Sequence, residues 1–240
     1  MTTRSIRLTS MAAAALVMVT LDGCGGSPTR PAYDPDIPAE WAAAVTNPFF
    51  PLTAGTKYEY RGETDEGVEM IIIEVLAQTR NVNGVQATVV RDRVYVDGEL
   101  VEDTDDWFAQ DAAGNVWYLG EASKEIEDGE VVSTEGSWEW GVDGALPGII
   151  MWADPAAHID EAYRQEFARG KAEDWGRVIS IGESVTVPYG SFEGCIRTED
   201  WNALETDELE NKVYCASIGL VFEELVEGGD ERVELIAVTD

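Results

Sequence analysis

The chain has 240 residues, with 47 acidic against 16 basic side chains and a formal charge of −31 at pH 7. That surplus repels phosphate backbones and anionic headgroups, so it argues against a nucleic-acid partner and against electrostatic docking on anionic lipid. Small cations, basic partners or a plain solvated acidic surface remain open, and 45% hydrophobic residues supply enough material for one well-buried core.

Arg4 and Arg7 precede an apolar run from Met11 to Leu21. The run is shorter than the roughly 20 residues a permanent span requires, and its size and basic flank are those of a signal peptide. It ends in Leu21-Asp22-Gly23-Cys24, which resembles the bacterial lipobox. The resemblance implies cleavage before Cys24, a diacylglycerol on its sulfur and a lipid anchor in the cell membrane or outer membrane. The alternative is an ordinary signal peptide with Cys24 a stray thiol. Removal of residues 1–23 leaves 217 residues, the 240 less the 23 removed. Residues 24–46, rich in Gly, Ser and Pro at first, read as a flexible tether, with a short helix over Pro38–Val45 that starts on its proline. Residues 47–240 read as a single β domain.

From about residue 55 the hydrophobic period is two, and helical period is scarce. Strands are predicted over 56–63, 68–78, 85–96, 99–110, 115–120, 124–127 and 130–134, punctuated by Asn83-Gly84, Asp97-Gly98 and Asp128-Gly129, dipeptides suited to tight hairpin turns. Within 85–96 the apolar phase changes from Val85, Ala87, Val89 to Val90, Val94, Val96, which predicts a bulge near Val89-Val90. Residues 136–155 show no strand alternation and read as a long apolar loop, its glycines letting it move as a flap. Further strands are predicted over 162–168, 172–181, 184–187, 191–201, 209–216, 219–226 and 232–238. The fold class is mostly β: one antiparallel curved sheet, an open half-barrel or barrel, with few short helices.

If Cys24 carries lipid, Cys195 and Cys215 remain. Strands pairing about a turn centred near Glu205 set them opposite each other, so a disulfide is expected; two buried thiols are the alternative. Glu99, Glu102, Asp103, Asp105, Asp106 and Asp111 crowd the Asp97-Gly98 hairpin and the strand after it. Clustered carboxylates suit calcium, although the spacing is not that of an EF-hand, and a solvated edge that blocks sheet-to-sheet aggregation explains them better. Trp138, Trp140, Leu146, Ile149, Ile150, Met151 and Trp152 gather in the loop, either to hold an apolar ligand or to close the open end of the core.

Asn47-Pro-Phe-Phe-Pro-Leu-Thr-Ala-Gly-Thr-Lys-Tyr-Glu-Tyr60, Tyr95–Thr104 with Trp107–Tyr118, Val185-Thr-Val-Pro-Tyr-Gly-Ser-Phe-Glu-Gly-Cys195 and Tyr214–Glu224 resemble a set of uncharacterised exported bacterial and archaeal proteins. The last two segments are also similar, more weakly, to half-barrel lipoprotein carriers of the LolA and LolB type, a likeness that implies a curved sheet with an apolar concave face. No catalytic signature stands out. His158 is the one histidine, and no Cys-x-x-Cys, phosphate loop or nucleophile elbow is present. The expected function is therefore a non-enzymatic envelope lipoprotein without cofactor, facing the periplasm or the outside. It would bind an apolar or amphiphilic ligand on a concave sheet face. The alternatives are a structural or protein-interaction module and an acidic calcium-binding surface protein.

Overall fold

A computed structural model describes residues 33–64 and 67–240. The expected signal peptide, Cys24 and the first part of the expected tether lie outside the described residues.

The expected alternation produces an almost entirely antiparallel sheet. Strands β1 (Lys57–Thr64), β2 (Gly67–Val82), β3 (Val85–Val96), β4 (Glu99–Gln110) and β5 (Val116–Ala122) form a meander. The turns between them use the chemistry that the sequence advertises: Asn83 and Asp97 have φ of 46° and 50°, each followed by a glycine at positive φ. A small hairpin, β6 (Glu125–Glu127) and β7 (Glu130–Ser133), hangs from β4. β8 (Trp138–Glu139) and β9 (Leu146–Met151) both pair with β5. After a 3-10 turn over Pro155–His158 come β10 (Ala162–Arg164) and β11 (Glu166–Phe167). The second meander follows: β12 (Asp174–Val187), β13 (Gly190–Asn202), β14 (Leu209–Cys215), β15 (Gly219–Glu227) and β16 (Arg232–Thr239).

β16 pairs with β1 and fuses the two meanders into one sheet, ordered β10-β12-β13-β14-β15-β16-β1-β2-β3-β4-β5-β9-β11. Because β11 follows β10 after a single residue, the chain itself brings the two ends of the sheet together, and β9 comes to lie beside β10. The result is a nearly closed barrel of 13 strands. One core fills it, including Tyr60, Ile71, Val90, Phe108, Tyr118, Ile150, Met151, Tyr214 and Leu235. A second core forms on the opposite face of β3, β4 and β5, from Val85, Ala87, Val89, Trp107, Trp117 and Leu119. Ile149 from one end of the sheet and Tyr163 and Val178 from the other complete it.

Three local expectations are corrected. The apolar phase change in β3 needs no bulge there, because both faces of the strand are buried against different cores. The irregularity sits across the ladder, in β2: Val75 pairs with Val90 and Thr79 with Thr88, so three β2 residues face one on β3. Residues 136–155 are not one long loop. They contain β8 and β9, and alternation is hidden because both faces of β9 are covered and Ile150 is a bulge residue between the pairs Trp117–Ile149 and Val116–Met151. Pro38–Val45 is extended rather than helical: Trp41 bridges to Asp111 and Ala42 N donates to Gln110 O at 2.8 Å. Packing of the Trp41 ring against Trp117 and Trp140 outweighs the helix preference of three alanines.

The cysteine expectation is met. Ile196 pairs with Tyr214 and Arg197 with Val213, so Cys195 stands opposite Cys215. Their Cα atoms are 4.3 Å apart and the two are joined as a disulfide buried in the main core. A loop of this length confers about 3 kcal/mol by the chain-entropy model.

Candidate functional site

The ends of the sheet meet without a continuous ladder, and residues 33–42 cross the seam as a strap. Tyr33 pins one end: its hydroxyl donates to Pro147 O at 2.9 Å and its ring meets Phe167 edge-on at 5.7 Å. Burial pushes the Tyr33 phenol well above its usual range, so it stays a hydrogen-bond donor. The other end is held by Ala42, by Ala112 N donating to Glu40 O at 3.2 Å, and by Trp41 against Trp117 and Trp140, 6.1 and 6.3 Å away. Between these points run Asp34-Pro35-Asp36-Ile37-Pro38. Two prolines without N–H groups keep this stretch from adding to the sheet, and it arches over a cleft of about 700 Å³.

Trp117, Ile149 and Trp152 form one wall of the cleft, and Tyr163, Arg164 and Trp175 the other. The Trp152 indole stacks on His158 at 3.9 Å and meets Tyr163 edge-on at 5.4 Å. Its buried Nε1 has no hydrogen-bond partner. The Arg164 guanidinium lies over Trp175 at 4.3 Å and Phe167 at 5.0 Å. It donates to Glu173 O at 2.9 Å and to the Glu173 carboxylate at 3.3 Å. Asp111 takes Asn115 N, Asn115 Nδ2 and Trp117 Nε1 at 2.9, 2.8 and 3.0 Å. Asp36 and Glu40 are exposed at the mouth.

Neither a protein-family model nor a curated protein matches the sequence. Two solved structures are similar. One is a protein from Bacteroides fragilis assigned as exported, with a YmcC-like fold: 15% identity, TM-score 0.48, 80% of this chain and 99% of that chain covered. The other is a protein from Parabacteroides distasonis assigned as a lipoprotein: 13% identity, TM-score 0.44, with coverage of 80% and 99%. Likeness at this level carries no functional inference.

The structure divides the aromatic and apolar residues picked from the sequence. Ile149 and Trp152 line the cleft. Trp138, Ile150 and Met151 face the main core, and Trp140 packs between the two cores. The main core occupies the concave face expected to hold a ligand, and the cleft lies on the second core's side of the sheet, beside Trp117 and Ile149. Tyr33, Tyr163, Arg164 and Trp175 were not foreseen, since only the rolled sheet and the strap bring them together.

The acids picked as a cation cluster are dispersed. Glu99 is exposed at the β3–β4 turn. Glu102 accepts from Thr104 at 2.9 Å, and Asp106 from Tyr118 at 2.6 Å. Asp103 takes a two-pronged bond from Arg91 at 2.7 and 2.8 Å, which holds its carboxyl below the usual range. Asp105, half-buried, pairs across the sheet with Arg91, and Asp111 belongs to the cleft wall. Among the described residues no three His, Cys, Asp or Glu side chains gather where they could hold a metal ion. Alternate strand residues point to opposite faces, so acids that are crowded in sequence separate in space.

A second buried polar region went unforeseen. Glu69, Asp92, Glu121, Glu166, Asp174, Asp200 and Glu223 are all buried. Lys212 is among them, 3.5 Å from Asp200, 3.2 Å from Glu210 and 3.7 Å from Glu223. Burial works against its charge, but Glu223, Glu210 and Asp200 together outweigh that and hold its pKa well above the usual lysine range. With 47 acids in the sequence, nothing marked these as the interior ones.

Proposed function

We propose that this chain is an exported envelope protein, anchored through lipid on Cys24, that binds an apolar or amphiphilic molecule in the seam cleft and catalyses no reaction. The observation that carries the reading is the cleft itself. Its volume of about 700 Å³ falls within the roughly 300–1,000 Å³ of small-molecule sites, and five aromatic rings line it where backbone pairing leaves the barrel unclosed. The non-catalytic part is supported by the polar groups around the cleft: Asp111 and Arg164 are spent on holding its walls, and His158 is stacked on Trp152 and paired with Glu161 at 2.9 Å. The anchoring part is supported by the lipobox-like Leu21–Cys24, nine residues before Tyr33. A fully extended stretch of that length reaches about 30 Å, so the strap and its cleft would sit close to the bilayer.

The test is titration of the domain with N-phenyl-1-naphthylamine, a neutral apolar fluorophore, while intrinsic tryptophan emission is followed. Saturable quenching is expected, weakened about tenfold or more in Trp152→Ala, which strips one wall. A parent protein with no saturable response would leave a structural or protein-interaction module as the surviving reading.

A further inference from the structure

The charges around the cleft limit what can enter it. The geometry points to an organic cation with an apolar body, an alkylammonium or other amphiphilic amine, as the occupant; this rests on the cleft being a binding site. Three carboxylates border the space: Asp36 and Glu40 exposed on the strap, and Asp111 in the wall. Among the described residues, the one basic residue in the lining is Arg164, and its guanidinium is already matched by the carboxylate and carbonyl of Glu173, with its side chain only 5% exposed. An anionic headgroup would meet two exposed carboxylates, and the whole chain's −31, with no available cation among the described lining residues to receive it. A cation meets the reverse. Its charge is drawn to the mouth by Asp36 and Glu40, and the aromatic rings that line the space attract it through their quadrupoles within roughly 6 Å.

The indoles and phenols of the walls suit this occupant better than they suit a bare alkane chain. Tyr33, Trp117, Trp152, Tyr163 and Trp175 provide five rings from the strap, β5, the end of β9, β10 and β12, so a bound ammonium would touch aromatic surface from more than one side. Arg164 shows the same preference from within the protein, since its own guanidinium rests on the Trp175 and Phe167 faces at 4.3 and 5.0 Å. A free alkylammonium would extend that pattern into the space left beside it.

Three amphiphiles with one dodecyl chain and different heads separate the possibilities: dodecyltrimethylammonium, dodecyl maltoside and dodecyl sulfate. Each is titrated below its micelle concentration at about 0.15 M ionic strength, where the screening length is near 8 Å and distant charges count little. The expected result is saturable binding of the ammonium about tenfold tighter than the maltoside, with the sulfate weakest. The double variant Asp36→Asn with Glu40→Gln should bring the ammonium down to the level of the maltoside. Glu127→Gln with Glu130→Gln, which removes two charges from the exposed β6–β7 hairpin instead, should leave the preference intact. Equal binding of all three heads would overturn the cation assignment while keeping the cleft as a binding site. Equal loss of preference in both double variants would also overturn it, because net charge rather than the mouth would then be the cause. No binding of any of the three would remove the cleft reading on which the assignment rests.

Discussion

Tyr118 carries one hydroxyl proton, yet its oxygen lies 2.6 Å from Asp106 Oδ1 and 2.9 Å from Glu121 Oε2. One proton serves one acceptor, so the second short contact requires a proton on a carboxyl group. Close by, Glu166 has no exposure, and Trp138 Nε1 donates to its Oε2 at 2.6 Å. Burial raises the Glu166 pKa well above the usual carboxylate range, and Asp174 and Glu121 raise it further against the weaker pull of Trp138. The barrel interior therefore stores protons. Folded Glu166 keeps a proton that the unfolded chain releases once pH passes the ordinary glutamate value, so its contribution is whole in acid and declines as pH rises towards the raised folded pKa. The decline is about 1.4 kcal/mol per pH unit for one proton. Glu166→Gln keeps the shape and the acceptor for Trp138 but does not titrate. Its melting temperature relative to the parent should climb between pH 5 and pH 8; a difference that stays flat across that range would refute the buried neutral acid.

β9 shows how an element can be invisible in sequence and still position a site. Leu146-Pro-Gly-Ile-Ile-Met151 lacks period two because both faces are buried and a bulge intervenes, so only its pairing with β5 and β11 reveals it. Gly148 is what lets β9 meet the other end of the sheet: a Cβ there would stand 2.4 Å from Arg164 O and from the Gln165 carbonyl carbon. Those are backbone atoms that cannot rotate away. Gly148→Ala should therefore push β9 from β10, cost about 1–3 kcal/mol and lower the melting temperature by roughly 2–10 °C. Because Ile149 and Trp152 travel with β9, it should also weaken probe binding in the cleft. A variant that melts with the parent would show that the seam is not tightly packed there. The β13–β14 pair was legible by contrast. Its two cysteines, its polar turn and its alternation all pointed to one register, the one the strands adopt.

At the scale of the whole molecule, a barrel whose seam lies under the strap brings the cleft within nine residues of the proposed anchor. Cys24→Ser, expressed in a bacterial host, should abolish lipid processing and shift the protein from the membrane to the soluble fraction. Unchanged fractionation and processing would rule out the anchor and with it the placement of the cleft beside a bilayer. Antiparallel β architecture, most strand positions, the hairpin turns and the Cys195–Cys215 pairing follow from the sequence alone, since alternation, turn dipeptides and register are local properties that a single chain displays. The closure of the sheet, the second core behind β3–β5, the strap and the cleft were decided only in three dimensions. So was the choice of which acids lie inside. Each depends on which residues far apart in sequence come to share a face, and strands buried on both sides lose the one periodic signal that would have announced them.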